Sequence, residues 1–441
     1  AVGSLTMAGA MNGALNNTAI GHSALNALTT GDNNVAIGSN AFDAAAHGES
    51  YNIGVGAGAL GGAKENVPSS GSNAHTVDHN IAIGLDALHG GDLGTGTGTI
   101  THTGNIAIGN YALDATAANP HTGTIAIGHL ALSACTTGSY NTAIGYLALQ
   151  EHVDGGYNTA IGYKALYRTG GSNADGSQDN VAIGYLALGG DWANATSNQN
   201  ISIGSNTLAG VLNGATDNIG IGYAALNDLT SGDNNVAVGS YAGDGITDGA
   251  GCVAIGHLAL SAAHTQNGTV MIGQNAGALL TTGDNNIGIG YNALATHVDG
   301  SKNICIGYGA MQDTNAGSDS DTSAENVFIG HLAGGGTWAN AVSSFNVGVG
   351  SNVMDAALDG ALKNTAVGHE AGTAIEEGSS NTLLGFQAGV GIVDADWNTC
   401  VGDRAGDSIT SGQANTFVGT TADGAATTDN QIAIGNGAVT D

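Results

Sequence analysis

The amino-acid sequence predicts an all-β protein, a single-domain parallel β-solenoid of about 23 turns over residues 1–441. Three observations lead to this fold class. A short motif ending in glycine recurs 23 times, most often 17 residues apart. The chain contains 76 Gly but only 2 Pro, and 42% of its residues are hydrophobic while only 10% are charged. Disordered chains need low hydrophobicity, so a Gly-rich chain with many apolar residues in register is typical of a repeat architecture.

Each copy of the motif contains Asn, a β-branched residue, a small residue, an aliphatic residue and a glycine, which we call the anchor glycine. Clear copies carry Asn17, Ile20 and Gly21; Asn141, Ile144 and Gly145; and Asn158, Ile161 and Gly162. The residues one and three positions before the anchor glycine are Thr, Val, Ile or Leu in all 23 copies. Side chains two apart share one face of a strand, so we interpret these two columns as the core inside each coil.

The small residue between those two columns points to the opposite face of the strand. It is Ala, Gly or Ser in the first 13 copies and is often larger in the later ones. Persistent smallness predicts a close neighbour, and a strand that is apolar on both faces is buried on both. We interpret this column as inter-chain packing, at residues that include Ala19, Ala143, Ala160, Phe328 and Phe417. The alternative is packing against the return segment of the same coil.

Two further signals divide the rest of the coil. Asn stands four residues before the anchor glycine in 19 of the 23 copies, and stacked Asn side chains pass hydrogen bonds from coil to coil. A second glycine often lies seven residues before the anchor glycine and marks another turn. The usual 17-residue coil therefore has room for two short strands and two turns. So thin a solenoid has little core of its own, which favours several chains packed side by side.

Insertions lengthen some coils at one register, between the residues that follow the anchor glycine and the next Asn. The longest cover residues 61–79, 89–104, 167–179 and 311–325. They are rich in Gly, Ser, Asp and Asn. Insertions at one register project from one edge of a solenoid, so we expect ligand contact at this edge.

Charge and cysteine content exclude several classes of function. The chain has 36 Asp and Glu but only 6 Lys and Arg, a net charge of −30, which is incompatible with binding a phosphate backbone. No stretch is apolar enough to span a membrane. The four cysteines are far apart and form no zinc or disulfide pattern, so we expect them to be small buried hydrophobic residues.

The candidate metal ligands are acidic and histidine side chains at turns. Asp32, Asp233 and Asp284 each lie in a Gly-Asp-Asn-Asn turn, and His75, Asp78 and His79 lie in one insertion. Oxygen ligands at turns suit Ca²⁺, which is the one cofactor that the sequence leaves open. The alternative is ordinary turn chemistry, because the Asp-x-Asp spacing of calcium loops is missing.

Aromatic residues are the candidates for surface contact. Tyr146, Tyr163 and Tyr185 each follow an anchor glycine, and Trp192 and Trp338 lie in longer coils. Such a stripe stacks on sugars or is an outer packing column. No nucleophile, base or paired-carboxylate arrangement stands out, so we predict no catalytic residue and no enzymatic activity.

The repeated Asn-x-Ala-Ile-Gly-x-x-Ala pattern resembles the head repeats of trimeric autotransporter adhesins and the shafts of phage and virus tail fibres. The resemblance runs from about Leu15 to Val439. It implies a trimer of left-handed parallel β-rolls that attaches to a surface. The coil of 17 residues is longer than is usual in adhesin heads.

We therefore predict a non-enzymatic, extracellular fibre or adhesin segment that mediates attachment to, or display on, a cell or virion surface. Its expected partners are itself, as a homotrimer, and a surface glycan or host receptor. The alternative is a self-assembling structural filament with subunits stacked end to end. The segments Leu5 to Leu15 and Ile432 to Val439 suggest this alternative, because they look uncapped and an uncapped strand edge templates another strand.

Overall fold

The computed structural model describes residues 1–9, 12–44, 48–62, 76–90, 101–116, 120–169, 176–262, 265–314 and 319–437. The chain forms two compact units, Ala1–Ile221 with Leu229–Ser231, and Gly222–Asp228 with Gly232–Asp441. Each unit is built from parallel β-solenoid coils of about 17 residues, with almost no helix. The predicted fold class is therefore confirmed as an all-β parallel solenoid.

The described residues of the first unit form fourteen short strands. In chain order they are β1 Thr18–Ile20, β2 Val35–Ile37, β3 Ile53–Val55, β4 Thr76–Asp78, β5 Ile81–Ile83, β6 Thr101–Thr103, β7 Ile106–Ile108, β8 His121–Thr122, β9 Ile125–Ile127, β10 Thr142–Ile144, β11 Thr159–Ile161, β12 Val181–Ile183, β13 Ile201–Ile203 and β14 Ile219–Ile221. Strands β4, β6 and β8 form a small parallel sheet of their own, and the others form the principal ladder.

In the part of the second unit that the structure describes there are twelve strands and one short 3₁₀ helix, Ser320–Thr322. The strands are β15 Val236–Val238, β16 Val253–Ile255, β17 Val270–Ile272, β18 Ile287–Ile289, β19 Ile304–Ile306, β20 Val327–Ile329, β21 Val347–Val349, β22 Thr365–Val367, β23 Thr382–Leu384, β24 Thr399–Val401, β25 Thr416–Val418 and β26 Ile432–Ile434. Each strand pairs in parallel with its neighbours, and the motif positions align, as Ala143 does with Ala160.

The anchor glycine ends each strand and cannot be replaced by a larger residue. Gly145 has a φ of +144°, and a Cβ atom there would collide with the carbonyl oxygen of Gly162 in the next coil. Both the torsion angle and the close approach of the next coil therefore require glycine. This explains why glycine ends all 23 copies of the motif.

The segment after the anchor glycine is a turn, and among the described residues the second strand for which the sequence left room occurs in the coils that carry β4, β6 and β8. Its second and fourth residues have positive φ, as at Leu147 (+59°) and Leu149 (+52°). The alternation aims successive N–H groups in opposite directions: Leu147 donates to the carbonyl of His129 in the preceding coil, and Leu149 to that of Ala165 in the following one. The backbone is satisfied without an extended strand, so only one strand per coil is required.

The strand faces are the reverse of those that the sequence suggested. The small middle residue points into the coil, and Ala19, Ala143, Ala160, Phe328 and Phe417 are at most 1% exposed within a single chain. Inter-chain packing by these residues was therefore a wrong prediction, and the alternative of packing against the return segment is confirmed. The physical reason is space: Ala148 and Leu149 of the return segment fill the narrow coil, which leaves room for only a methyl group opposite them.

The predicted asparagine column lies along one buried edge of the ladder. The Oδ1 atom of Asn158 accepts hydrogen bonds from both the backbone N–H and the side-chain amide of Asn180, at 3.0 and 3.1 Å. The Nδ2 atom of Asn158 donates to the carbonyl of Ser177, and its backbone N–H donates to Oδ1 of Asn141. The buried amide of Asn158 thereby ties three successive coils together.

Candidate functional site

The candidate site is the exposed face of the principal ladder, which we call the outward face. It consists of the residues one and three positions before each anchor glycine. Their side chains are partly or largely exposed, because the middle residue of each strand occupies the interior. In the first unit the most exposed are Ile20, Ile37, Ile53, Ile83, Ile161, Ile183, Ile203 and Ile221. In the second unit they are Ile255, Leu384, Val418, Ile432 and Ile434.

The outward face is apolar and carries no charged side chain at either column in any of the 23 copies. Solvent-facing strands in a chain with 36 acidic residues are expected to carry some of them. Large exposed apolar patches on proteins mark contact surfaces. The face is therefore suited to packing against another flat apolar surface.

Columns of aromatic rings flank the outward face. His129, Tyr146, Tyr163 and Tyr185 stack in sequence with centroid spacings of 5.4, 5.6 and 5.4 Å and interplanar angles of 10° or less. On the other flank Tyr140 stacks on Tyr157 at 5.2 Å. The predicted exposure of the three tyrosines is confirmed, at 43 to 50%. Because the rings cover one another's faces, they offer ring edges and hydroxyl groups, rather than ring faces, to a ligand.

Both tryptophans proposed for surface contact are buried, so that prediction was wrong. Trp192 is 4% exposed and Trp338 is fully buried. Trp338 donates from its indole nitrogen to the carbonyl of Gly334 at 2.9 Å and packs edge to face on Phe328. Each tryptophan fills the interior of a coil that is longer than 17 residues. A longer coil encloses a larger interior, and this interior accommodates the tryptophan side chain that the sequence had suggested was exposed.

Three of the carboxylates proposed as metal ligands form hydrogen bonds to backbone N–H groups at turns. The carboxylates of Asp32, Asp78 and Asp284 accept the backbone N–H groups of Leu15, Ser50 and Asn267, each at 2.7 Å. These bonds are the turn chemistry that the sequence left as an alternative. The carbonyl of Asp233 accepts the N–H of Gly251.

Of the two histidine candidates for metal binding, the structure describes His79. His79 stacks on Tyr51 at 5.0 Å, and His75 lies outside the described residues. Across the described ranges, no group of three or more His, Cys, Asp or Glu side chains is placed to hold a metal ion. The structure thus assembles none of the candidate ligands into a cation site.

The four cysteines are free and buried, as the sequence predicted. Burial raises the pKa of the Cys135 and Cys400 thiols to about 12, and it raises the pKa of Cys305 further still. These thiols are therefore protonated at neutral pH and act as core hydrophobic groups.

Among the carboxyl groups of the described residues, that of Asp244 has a strongly raised pKa. Burial, and to a smaller extent the negative charge of Asp228, raises the pKa of Asp244 to about 6. Its side chain is about half-buried at the corner of a coil in the second unit. A second group that would act with it as nucleophile or base is not assembled there by the described residues.

Comparisons with known proteins give no family for the chain: no family model matches it, and no curated protein is similar in sequence. Within the described residues, none of the helices has the length and hydrophobicity needed to traverse a lipid bilayer. The function is therefore argued from the geometry of the outward face.

Proposed function

We propose that this chain is the self-assembling, non-enzymatic segment of an extracellular fibre that attaches to, or is displayed on, a cell or virion surface. The observation that supports the proposal is the outward face. Its Ile, Val and Thr columns repeat at one register through each unit and have no covering element within the described chain.

A second copy of this chain fits the outward face best. The face presents one pair of apolar columns with one spacing per coil, so an identical face offers matching ridges and grooves. In a closed cyclic trimer each copy turns the same face towards the shared axis, and different edges of that face contact the two neighbours. Burying exposed Ile and Val side chains releases about 25 cal/mol per Å² of apolar surface, which supplies the driving force.

The resemblance of the motif to trimeric adhesin heads and tail-fibre shafts supports three as the number of chains. It also supports attachment to a surface glycan or a host receptor, and it supports an extracellular location. The scarcity of Lys and Arg, 6 in 441 residues, suits a protein exposed to trypsin-like proteases. These statements rest on the motif and the composition, and the experiment below tests the assembly directly.

The test is the mass of the unheated 441-residue chain by sedimentation. We expect a species of three times 42.9 kDa. The double substitution Ile161→Lys and Ile183→Lys places two charges on the outward face and is expected to give monomers with unchanged circular dichroism. The matched control, Asn194→Lys and Thr196→Lys, places the same charges on exposed residues away from the face and should leave the trimer intact.

Two results would overturn this assembly. A wild-type chain that sediments at 42.9 kDa at all concentrations shows that the outward face binds no second copy. Very large species of variable length, insensitive to the two lysines, favour the end-to-end filament instead. Binding of the trimer to cells or to a glycan array then tests attachment.

A further inference from the structure

A surface groove lies beside the long coil that follows Gly162. It has a volume of about 380 Å³ and is lined by Lys164, Tyr167, Arg168, Gly189, Gly190 and Asp191, with Leu186 between them. This volume falls in the range of pockets that hold a small molecule or one or two sugar rings. The groove opens at the edge of the solenoid where the insertions occur, which is where the sequence predicted ligand contact.

The floor of the groove is bare backbone. A Cβ atom on Gly190 would collide with the carbonyl oxygens of Ala209 and Gly210 in the next coil. A Cβ atom on Gly189 would lie 3.0 Å from the backbone of Leu186. Gly190 therefore requires glycine, Gly189 leaves little room for a side chain, and neither residue places a side chain in the groove.

The two cations of the groove differ in their partners. Arg168 donates to the carboxylate of Asp191 at 2.7 Å and lies 3.9 Å from that of Glu151, so its charge is balanced. The Nζ atom of Lys164 lies 4.6 Å from the ring centroid of Tyr167 and 5.6 Å from that of Tyr163. Among the described residues no carboxylate forms an ion pair with Lys164. Aromatic rings hold an ammonium group in place but leave its charge unneutralised.

Lys164 therefore brings an unneutralised positive charge to the groove, in a chain with only 6 basic residues. The surrounding coils are also unusual. Half of the 12 tyrosines of the chain lie between residues 140 and 185, namely Tyr140, Tyr146, Tyr157, Tyr163, Tyr167 and Tyr185. Tyrosine and arginine are the residues that most often dominate binding surfaces. Tyr167 lines the groove, and Tyr163 lies beside the ammonium group of Lys164.

We propose that the groove binds an acidic sugar residue of a polysaccharide, with the ammonium group of Lys164 donating a hydrogen bond to its carboxylate or sulfate. The ring of the sugar lies over the Gly189–Gly190 floor, against the edge of Tyr167. Arg168 and Asp191 form one wall and supply a donor and an acceptor for hydroxyl groups. The proposal rests on the attachment function proposed above and gives that function a ligand class.

The second unit contains a coil pair of the same design that lacks the cations. Gly309, Gln312 and Asp313 stand where Lys164, Tyr167 and Arg168 stand, and Gly335, Gly336 and Thr337 follow in place of the two glycines and Asp191. There the hydroxyl of Thr337 donates to the carboxylate of Asp313 at 2.7 Å. The two coil pairs therefore share the glycine pattern, and only the coil pair of the first unit has Lys and Arg at these positions.

The experiment is calorimetric titration of the full chain with three probes: an oligogalacturonide, a heparin oligosaccharide and an uncharged galactose oligomer. We expect one of the two acidic probes to bind and the uncharged one not to; the two acidic arms separate carboxylate from sulfate recognition. Lys164→Gln should weaken binding by at least about tenfold, the effect of losing one charge-assisted hydrogen bond. Lys164→Arg keeps the charge and should retain binding within about threefold of the wild-type chain.

The matched control is Lys302→Gln, which makes the same change in net charge at an exposed lysine of the second unit that is paired with Glu325 at 3.2 Å. It should leave the affinity unchanged. Equal binding of the uncharged oligomer, no binding of any probe, or an unaltered affinity of the Lys164→Gln chain would each overturn the groove proposal. Sedimentation of the same samples separates the two proposals: a trimer that binds no probe refutes only the groove, and a monomer that binds refutes only the assembly.

Discussion

At the scale of single residues, several buried polar side chains form hydrogen bonds from one coil to the next. Two histidines are the extreme case. His152 and His297 are fully buried, each ten residues before an anchor glycine, where other coils have Leu or Ile. The Nδ1 atom of each lies within 3.0 Å of a threonine hydroxyl, Thr169 or Thr314, in the next and longer coil. The imidazole therefore replaces a hydrophobic side chain where the next coil brings a hydroxyl into the core.

These histidines make stability depend on pH. Burial lowers the pKa of both to about 4, from 6.5 for an ordinary histidine. Between these two values the unfolded chain binds more protons than the folded one, so stability is complete above about pH 6.5 and falls as the pH drops towards 4. The loss is about 3 kcal/mol for each histidine, at 1.36 kcal/mol per pKa unit. The negative charges of Asp154 and Asp299 oppose the shift only partly.

The substitution His152→Leu tests this dependence, because Leu28 and Leu229 occupy the same position in other coils. Thermal unfolding followed by circular dichroism at pH 7 and pH 4.5 should show a smaller acid-induced drop in melting temperature than in the wild-type chain. The exposed His129, changed to Gln, is the control and should leave the drop unchanged. An undiminished drop in the His152→Leu chain would show that other groups cause the acid sensitivity.

At the scale of the coil, the middle residue of the strand and the fourth residue after the anchor glycine share one volume. In many coils of the first unit the pair is Ala and Leu, as at Ala143 and Leu149. In four coils with a larger middle residue, glycine replaces the leucine: Met271 pairs with Gly277, Phe328 with Gly334, Leu383 with Gly389, and Cys400 with Gly406. Two coils depart from this pattern, with Met311 opposite Cys305 and Asp423 opposite Phe417. The larger middle residues fill the interior of the coil.

A double-mutant cycle at Phe328 and Gly334 measures this complementarity. A Cβ atom on Gly334 would lie 2.8 Å from the Phe328 ring, so Gly334→Leu overpacks the coil and costs about 1–3 kcal/mol. Phe328→Ala leaves a cavity and costs about 3–5 kcal/mol. The double variant restores the Ala–Leu pair of other coils, and we expect its free energy of unfolding, from urea denaturation, to exceed that of Phe328→Ala alone. Additive losses would show that the two side chains do not share a volume.

At the scale of the whole molecule, attraction between apolar outward faces competes with the repulsion that arises from a net charge of −30 on each copy. Copies that associate through the face bring like charges together, so long-range repulsion weakens the assembly. Raising NaCl from about 0.01 M to about 0.15 M shortens the Debye length from about 30 Å to about 8 Å. We expect sedimentation to show trimers at lower protein concentration in the higher salt. Dissociation by salt would instead mean that ion pairs hold the chains together.

Periodicity alone predicted much of this protein. The spacing of the anchor glycines predicted parallel coils in register, because each coil must present the same groups to the next. The recurrence of Asn four residues earlier predicted a hydrogen-bonded column, which Asn141, Asn158 and Asn180 form. The burial of the cysteines followed from their wide separation and the lack of any zinc or disulfide pattern. These features depend on local spacing, which a single sequence records directly.

Which face of each strand points into the coil was decided only by the tertiary structure. Ala143 and Ile144 are both apolar, so a period of two shows that they face opposite sides but not which side is inside. The volume of a 17-residue coil settles it, because Ala148 and Leu149 leave space for alanine but not for isoleucine. Likewise, coil length rather than local sequence buries Trp338 and brings Lys164 beside Gly190. Spacing along the chain determines how coils stack, whereas the volume enclosed by each coil decides which side chains remain outside for function.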